Sequence, residues 1–232
     1  MPASIATRVS DLRRAQREQT LAAFPACEGG EFPEGRPEAV DVLYADGVRS
    51  LRRVHYMQND LGDLQTQPAQ NHGLSTTGKA VVRRMNAVGM VVDVAHASHD
   101  TVRDVVSLTS APILLSHSLP KADDSRPLSA RTITEEHARL IAGAGGIVGA
   151  WPSGFNSSYA DFVENTKRLI DVAGIDHAGL GTDIDGTFKP VFGSYEQLAD
   201  WTTALRDRGF SASDLKKLLD DDVQRVLQKV IG

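Results

Sequence analysis

The sequence predicts a parallel α/β fold of the (β/α)8 barrel (TIM-barrel) type, incomplete, with about six of eight strand-helix units. Three observations carry this. Short β-branched runs alternate with helical patterns about every 30 residues, as in βαβ units. Several runs are apolar almost throughout, such as Met90-Val91-Val92-Asp93-Val94-Ala95, as strands buried on both faces are. Ligand-type side chains follow strand after strand, where a barrel gathers its chemistry.

In chain order, Met1–Thr20 reads as a helix. The strand candidates are Leu21–Cys27, Val48–Val54, Met90–Ala95, Pro112–Leu115, Gly146–Trp151 and Ala178–Leu180. Between and after them lie the helix candidates Pro37–Asp46, Thr76–Val88, His99–Leu108, Thr134–Ala142, Tyr159–Val172 and Tyr195–Asp207. Ser98 before Asp100, and Thr134 before Glu135 and Glu136, put acids into first helical turns. Gly89, Gly145 and Gly174 stand where helices should stop. Gly143-Ala144-Gly145-Gly146 precedes a strand, so it is a helix-to-strand turn; a dinucleotide-binding sheet would carry its glycine turn after the first strand. Asp220-Asp221-Asp222 reads as a helix boundary.

The chain has 232 residues, enough for one large domain, and residues 1–232 are read as a single domain shortened at its N-terminus. Hydrophobic residues make up 41% and charged residues 24%, an ordinary globular balance that excludes a disordered or collagen-like chain. A net charge of −5 without a basic patch argues against nucleic acid as a partner. No apolar run approaches the ~20 residues of a membrane span. Cys27 is the only cysteine, so no internal disulfide forms.

The chemistry lies at the strand ends. Leu21–Cys27 leads into Glu28-Gly29-Gly30, Val48–Val54 into His55, Met90–Ala95 into His96, Pro112–Leu115 into Ser116-His117-Ser118, and Ala178–Leu180 into Gly181-Thr182-Asp183. Imidazole and carboxylate suit Zn²⁺ or a similar cation, and a carboxylate such as Glu28 can bridge two ions. Taken singly, each is bland. A histidine after a strand is ordinarily a loop or core group, and Asp183 or Asp185 could cap a helix. Five such residues at equivalent strand ends form a pattern that single readings do not explain. His72, His99, His137 and His177 fall outside it: His99 and His137 are expected to be solvated in first helical turns, and His177 to be structural. Arg126 and Arg131 follow His117, where an arginine could clamp a substrate carboxylate.

Glu28-Gly29-Gly30, Leu74-Ser75-Thr76-Thr77-Gly78, Gly89 through Ser98, Ser116-His117-Ser118 and Gly179 through Gly186 together resemble the membrane dipeptidase (renal dipeptidase) family. The resemblance implies a zinc dipeptidase that uses two Zn²⁺ and a metal-bridging water to cleave a dipeptide. It assigns Glu28 as the bridging carboxylate, His96 and His117 as ligands of one zinc, and Asp183 as ligand of the other and proton acceptor. His55 would polarise the scissile carbonyl, and Arg131, with Arg126 as second choice, would bind the substrate carboxylate. A homodimer is a further implication. The family's first strand ends in His-x-Asp, which occurs nowhere in this chain. The first two strands are therefore expected to be absent, with one zinc held instead of two and poor hydrolysis by this chain alone. An inactive fragment of the family and a lactone or cyclic amide hydrolase are the alternatives. Localisation stays open: cytoplasmic for a complete chain, whereas a signal or anchor would lie in the absent segment.

Overall fold

The computed structural model describes residues 2–29, 36–52, 54–55, 59–121 and 129–232. They form an α/β fold in which parallel strands alternate with helices, as expected. The chain divides into two compact units, Met1–Leu114 with Gln224–Gly232, and Leu115–Val223.

The first unit opens with a difference from expectation. Residues before Thr20 are not all helical: Ala3–Ile5 is a strand, β1, followed by helix α1, Val9–Glu18. The run from Leu21 to Cys27 is also split. Leu21–Ala23 (β2) pairs in parallel with β1, while Ala26–Glu28 (β3) pairs in parallel with Ser50–Arg52 (β4). Pro25 sits at the break, where it has no N–H to give to either ladder. Its carbonyl still accepts from the Arg49 amide at 2.9 Å. Between β3 and β4 lies helix α2, Ala39–Ala45.

The next helix, α3, spans Thr76–Val88. Ser75 caps it, accepting from the Gly78 amide, and Gly89 ends it at φ 76°, a conformation glycine adopts without a Cβ penalty. Val81, Val82 and Met85 form its buried stripe. Strand β5, Val91–Asp93, pairs with β4 and is buried throughout, which its Val-Val core requires. Helix α4, His99–Leu108, is capped by Ser98. The Asp93–Leu114 pairing then starts β6, Leu114–Ser118. The unit's apolar cluster joins Val9, Leu12, Phe24, Val91 and Leu114 to Leu227 and Val230 of the C-terminal helix.

In the second unit β6 runs further than the sequence suggested, so His117 lies within a strand and not after one. Helix α5 (Glu135–Gly143), strand β7 (Ile147–Ala150), helix α6 (Tyr159–Ala173) and strand β8 (Ala178–Leu180) follow, and β7 pairs in parallel with β8. Thr134 and Ser158 cap α5 and α6. Helices α7 (Leu198–Arg206), α8 (Ala212–Lys216) and α9 (Asp222–Val230) complete the chain; a π-turn over Lys217–Asp221 precedes α9, so the Asp-rich stretch is a helix boundary. His137 departs from expectation. It is buried, at 4% exposure, because α5 turns it inward beside Ala138 and Ile141. His177 is structural, its Nδ1 lying 2.8 Å from the Gly146 carbonyl oxygen. No helix among the described residues is long and apolar enough to cross a membrane.

Two glycines let the strands of the second unit meet beside His117. A Cβ on Gly149 or on Gly181 would lie 2.1 or 1.9 Å from the Ser116 carbonyl oxygen. Gly181→Ala must therefore push backbone from backbone. Its expected cost is about 3 kcal/mol, measured by denaturant unfolding.

α1 supplies a pH prediction. The Asp11 carboxylate accepts from the Thr7 and Arg8 amides at 3.0 and 3.1 Å and pairs with Arg14. The Thr7 bond, first, then the Arg8 bond and Arg14 hold its pKa below the ordinary 3.8, although desolvation works against them. A depressed native pKa adds stability above the unfolded value, and that stability is lost as pH falls through the native one. Asp11→Asn is thus expected to lower the melting temperature at pH 7, and the difference from wild type to shrink as pH falls below the ordinary carboxylate range, measured by thermal unfolding across a pH series.

Candidate functional site

In the first unit, strand register builds a charged row. Glu28 of β3 pairs with Arg52 of β4, and Arg52 with Asp93 of β5. In-register residues of adjacent strands point to the same face, so three charged side chains meet. Arg52 Nη2 lies 3.0 Å from Glu28 Oε1, and its Nε 3.3 Å from Asp93 Oδ2. Arg52 and Asp93 are almost fully buried, whereas the Glu28 side chain is 44% exposed.

His55 and His96 stand three residues beyond Arg52 and Asp93. His55 Nε2 is 3.4 Å from Glu28 Oε2, and its ring meets that of His96 edge-on, with centroids 4.8 Å apart. Arg52 Nη1 comes to 3.5 Å from His96 Nε2. Three sequence-predicted residues, Glu28, His55 and His96, are thus brought together, with Arg52 among them.

His96 takes φ 70°, a left-handed conformation that costs a side-chain-bearing residue energy. Its neighbours hold it there. The His96 carbonyl accepts from the Gln65 amide at 2.9 Å, and the Ser98 amide donates to the Asp63 carbonyl at 2.8 Å. Asp63 is wholly buried, and its carboxylate gathers the Gln70, Asn71 and Gly73 amides, each at 2.9 Å. That loop fixes the backbone on which His96 depends.

The second unit holds the remaining predicted residues. His117 Nε2 is 3.8 Å from Asp183 Oδ2. This exceeds a hydrogen bond and compares with the ~3.3 Å between two donors on one tetrahedral zinc. His117 Nδ1 lies 3.3 Å from Ser116 Oγ. Asp183 also has a left-handed backbone, φ 47°, in a turn closed by the Gly186 amide donating to its carbonyl. Trp151 packs against His117 with centroids 4.9 Å apart, and the Arg131 guanidinium lies 5.3 Å from the Trp151 ring centre. The Trp151 indole N–H donates to Thr187 Oγ1. Arg126, the second choice for the carboxylate, and Gly30 lie outside the described residues.

Among the described residues no three His, Cys, Asp or Glu side chains converge into a ready metal cage. The donor types still suit zinc: in each unit a carboxylate oxygen lies within 4 Å of an imidazole nitrogen. Sequence reasoning missed Arg52, Asp93 and Trp151. The signal for Arg52 was a charge inside the run Leu51 to Val54, since a buried arginine in a strand demands a carboxylate on the next one. Trp151 ended the one strand without a ligand, which hid its contact with His117.

The family described as membrane dipeptidase (peptidase family M19) matches residues 2–231. The dipeptidase aclJ of Aspergillus oryzae is 32% identical over 221 residues, covering 90% of this chain; the chain spans 52%, about half, of that protein's length. The fold is that of the probable dipeptidase PvdM from Pseudomonas aeruginosa, at 21% identity and a TM-score of 0.90 over 98% of this chain and 74% of that one. A metallo peptidase from Rhodobacter sphaeroides, solved with a phosphinate mimic of the dipeptide L-Ala-D-Ala, has a TM-score of 0.88 at 21% identity, over 98% of this chain and 69% of that one.

Proposed function

The chain belongs to the membrane dipeptidase family, peptidase family M19, and on that premise we propose that it serves zinc-dependent hydrolysis of dipeptides. The observation that carries the proposal is the meeting of carboxylate and imidazole groups of zinc-ligating type in each unit, Glu28 with His55 and His96, and Asp183 with His117. We propose Glu28, His96, His117 and Asp183 as the metal ligands. Zinc, when bound, would polarise the scissile carbonyl and make water acidic enough to attack near neutral pH.

The protein's own groups then have distinct tasks. Arg131 pairs with the substrate's terminal carboxylate, which selects dipeptides over longer chains because the charge must sit one residue from the scissile bond. Trp151 keeps Arg131 in place and walls off His117. His55 donates a hydrogen bond to the oxygen that gains charge as the carbonyl carbon becomes tetrahedral. Asp183 accepts the proton released as water attacks and returns it to the departing amine. An Nδ1–H donated by His117 to Ser116 Oγ would leave its Nε2 lone pair for the metal.

Purified protein with added Zn²⁺ is expected to cleave L-Ala-D-Ala and Gly-containing dipeptides slowly but above background, and a chelator to abolish this. Amino-group release without zinc dependence, or no cleavage of any dipeptide at saturating zinc, would overturn the reading. Arg131→Ala is expected to lower kcat/KM about 100-fold, mostly through KM, and to leave dipeptide amides unaffected. Asp183→Asn is expected to lower kcat about 1,000-fold even at saturating zinc.

A further inference from the structure

We propose that Arg52 is a built-in cation that competes electrostatically with the metal for Glu28, so that this carboxylate binds zinc more weakly while the guanidinium is paired with it. The proposal rests on the reading of Glu28 as a metal ligand. A guanidinium and a divalent cation seek the same lone pairs, and Arg52 holds Glu28 Oε1 at 3.0 Å.

The two carboxylates on Arg52 are unequal. Asp93 is buried at 6% side-chain exposure, where losing the guanidinium's charge costs far more than it does in water. Glu28 is 44% exposed, so water takes over its solvation when the pair opens. Arg52 therefore keeps Asp93 and releases Glu28. Its Nη1, 3.5 Å from His96 Nε2, also sets a positive charge beside a second proposed ligand and disfavours a cation there. No other described side chain forms an ion pair with Glu28 except His55. The arginine thus makes zinc affinity a tunable property, raised by whatever draws the guanidinium away.

The test is Zn²⁺ affinity, measured by competition with a chromophoric chelator, for wild type and Arg52→Gln. Glutamine keeps a polar group opposite Asp93 but carries no charge. The variant is expected to bind zinc ten- to a hundredfold more tightly, although its metal-free melting temperature falls. A merely structural arginine would lower both, so affinity equal to or below wild type overturns the proposal. A second measurement uses wild type alone and does not depend on the variant folding. The NMR resonance of the Arg52 Nε–H should shift with the first equivalent of zinc, and an unmoved resonance overturns the proposal. Neither readout uses turnover, so failure to cleave dipeptides would count against the proposed activity and not against Arg52.

Discussion

Much of the first unit follows from one constraint: a guanidinium buried in a parallel sheet must be answered by carboxylates. Arg52 is 4% exposed and would be intolerable without partners. In-register pairing supplies Glu28 on one side and Asp93 on the other. The same pairing penalises a one-residue slip, because a shifted strand would turn Arg52 to the opposite face and strand both anions. The charged row therefore specifies register as well as local electrostatics. It also positions the candidate site residues beyond it, since His55 and His96 lie three residues past Arg52 and Asp93.

Much of this was legible in the sequence, and what was not has a physical reason. Helices α3 and α4 occupy the spans their patterns predict, because Ser75 and Ser98 cap them and their apolar spacing has one answer. Strand β5 is equally plain, since Val91 and Val92 suit only a strand covered on both faces. β1 was not legible. Three small or exposed residues carry no alternation, and only pairing with Leu21–Ala23 makes them a strand. Pro25 could have signalled the break between β2 and β3. The burial of His137 could not be read from its place in a first turn, because which face of α5 turns inward depends on what packs against it.

The candidate site residues divide in the same way. Glu28, His55, His96, His117 and Asp183 were visible as residue types at strand ends. Their company was not. Glu28 and Arg52 stand 24 positions apart, counted along the numbering, and only register makes them neighbours. Trp151 and Arg131 meet through a ring-face contact that no local motif encodes.

The backbone at His96 shows how such a site is kept ready. A left-handed histidine would relax if its surroundings allowed, and relaxation would carry the ring away from Glu28 and His55. Three amides on Asp63 hold the 63–73 loop, and that loop takes up the His96 carbonyl through Gln65 and the Ser98 amide, two residues on, through the Asp63 carbonyl. The energy that keeps the histidine strained is thus spread over hydrogen bonds that never touch a substrate. Asp63, which is not among the proposed metal ligands, stabilises the backbone that positions His96. Loss of its carboxylate would leave three amides without their acceptor, each at about 1–3 kcal/mol. The histidine, its following backbone no longer held by that loop, would then be free to return to an ordinary conformation.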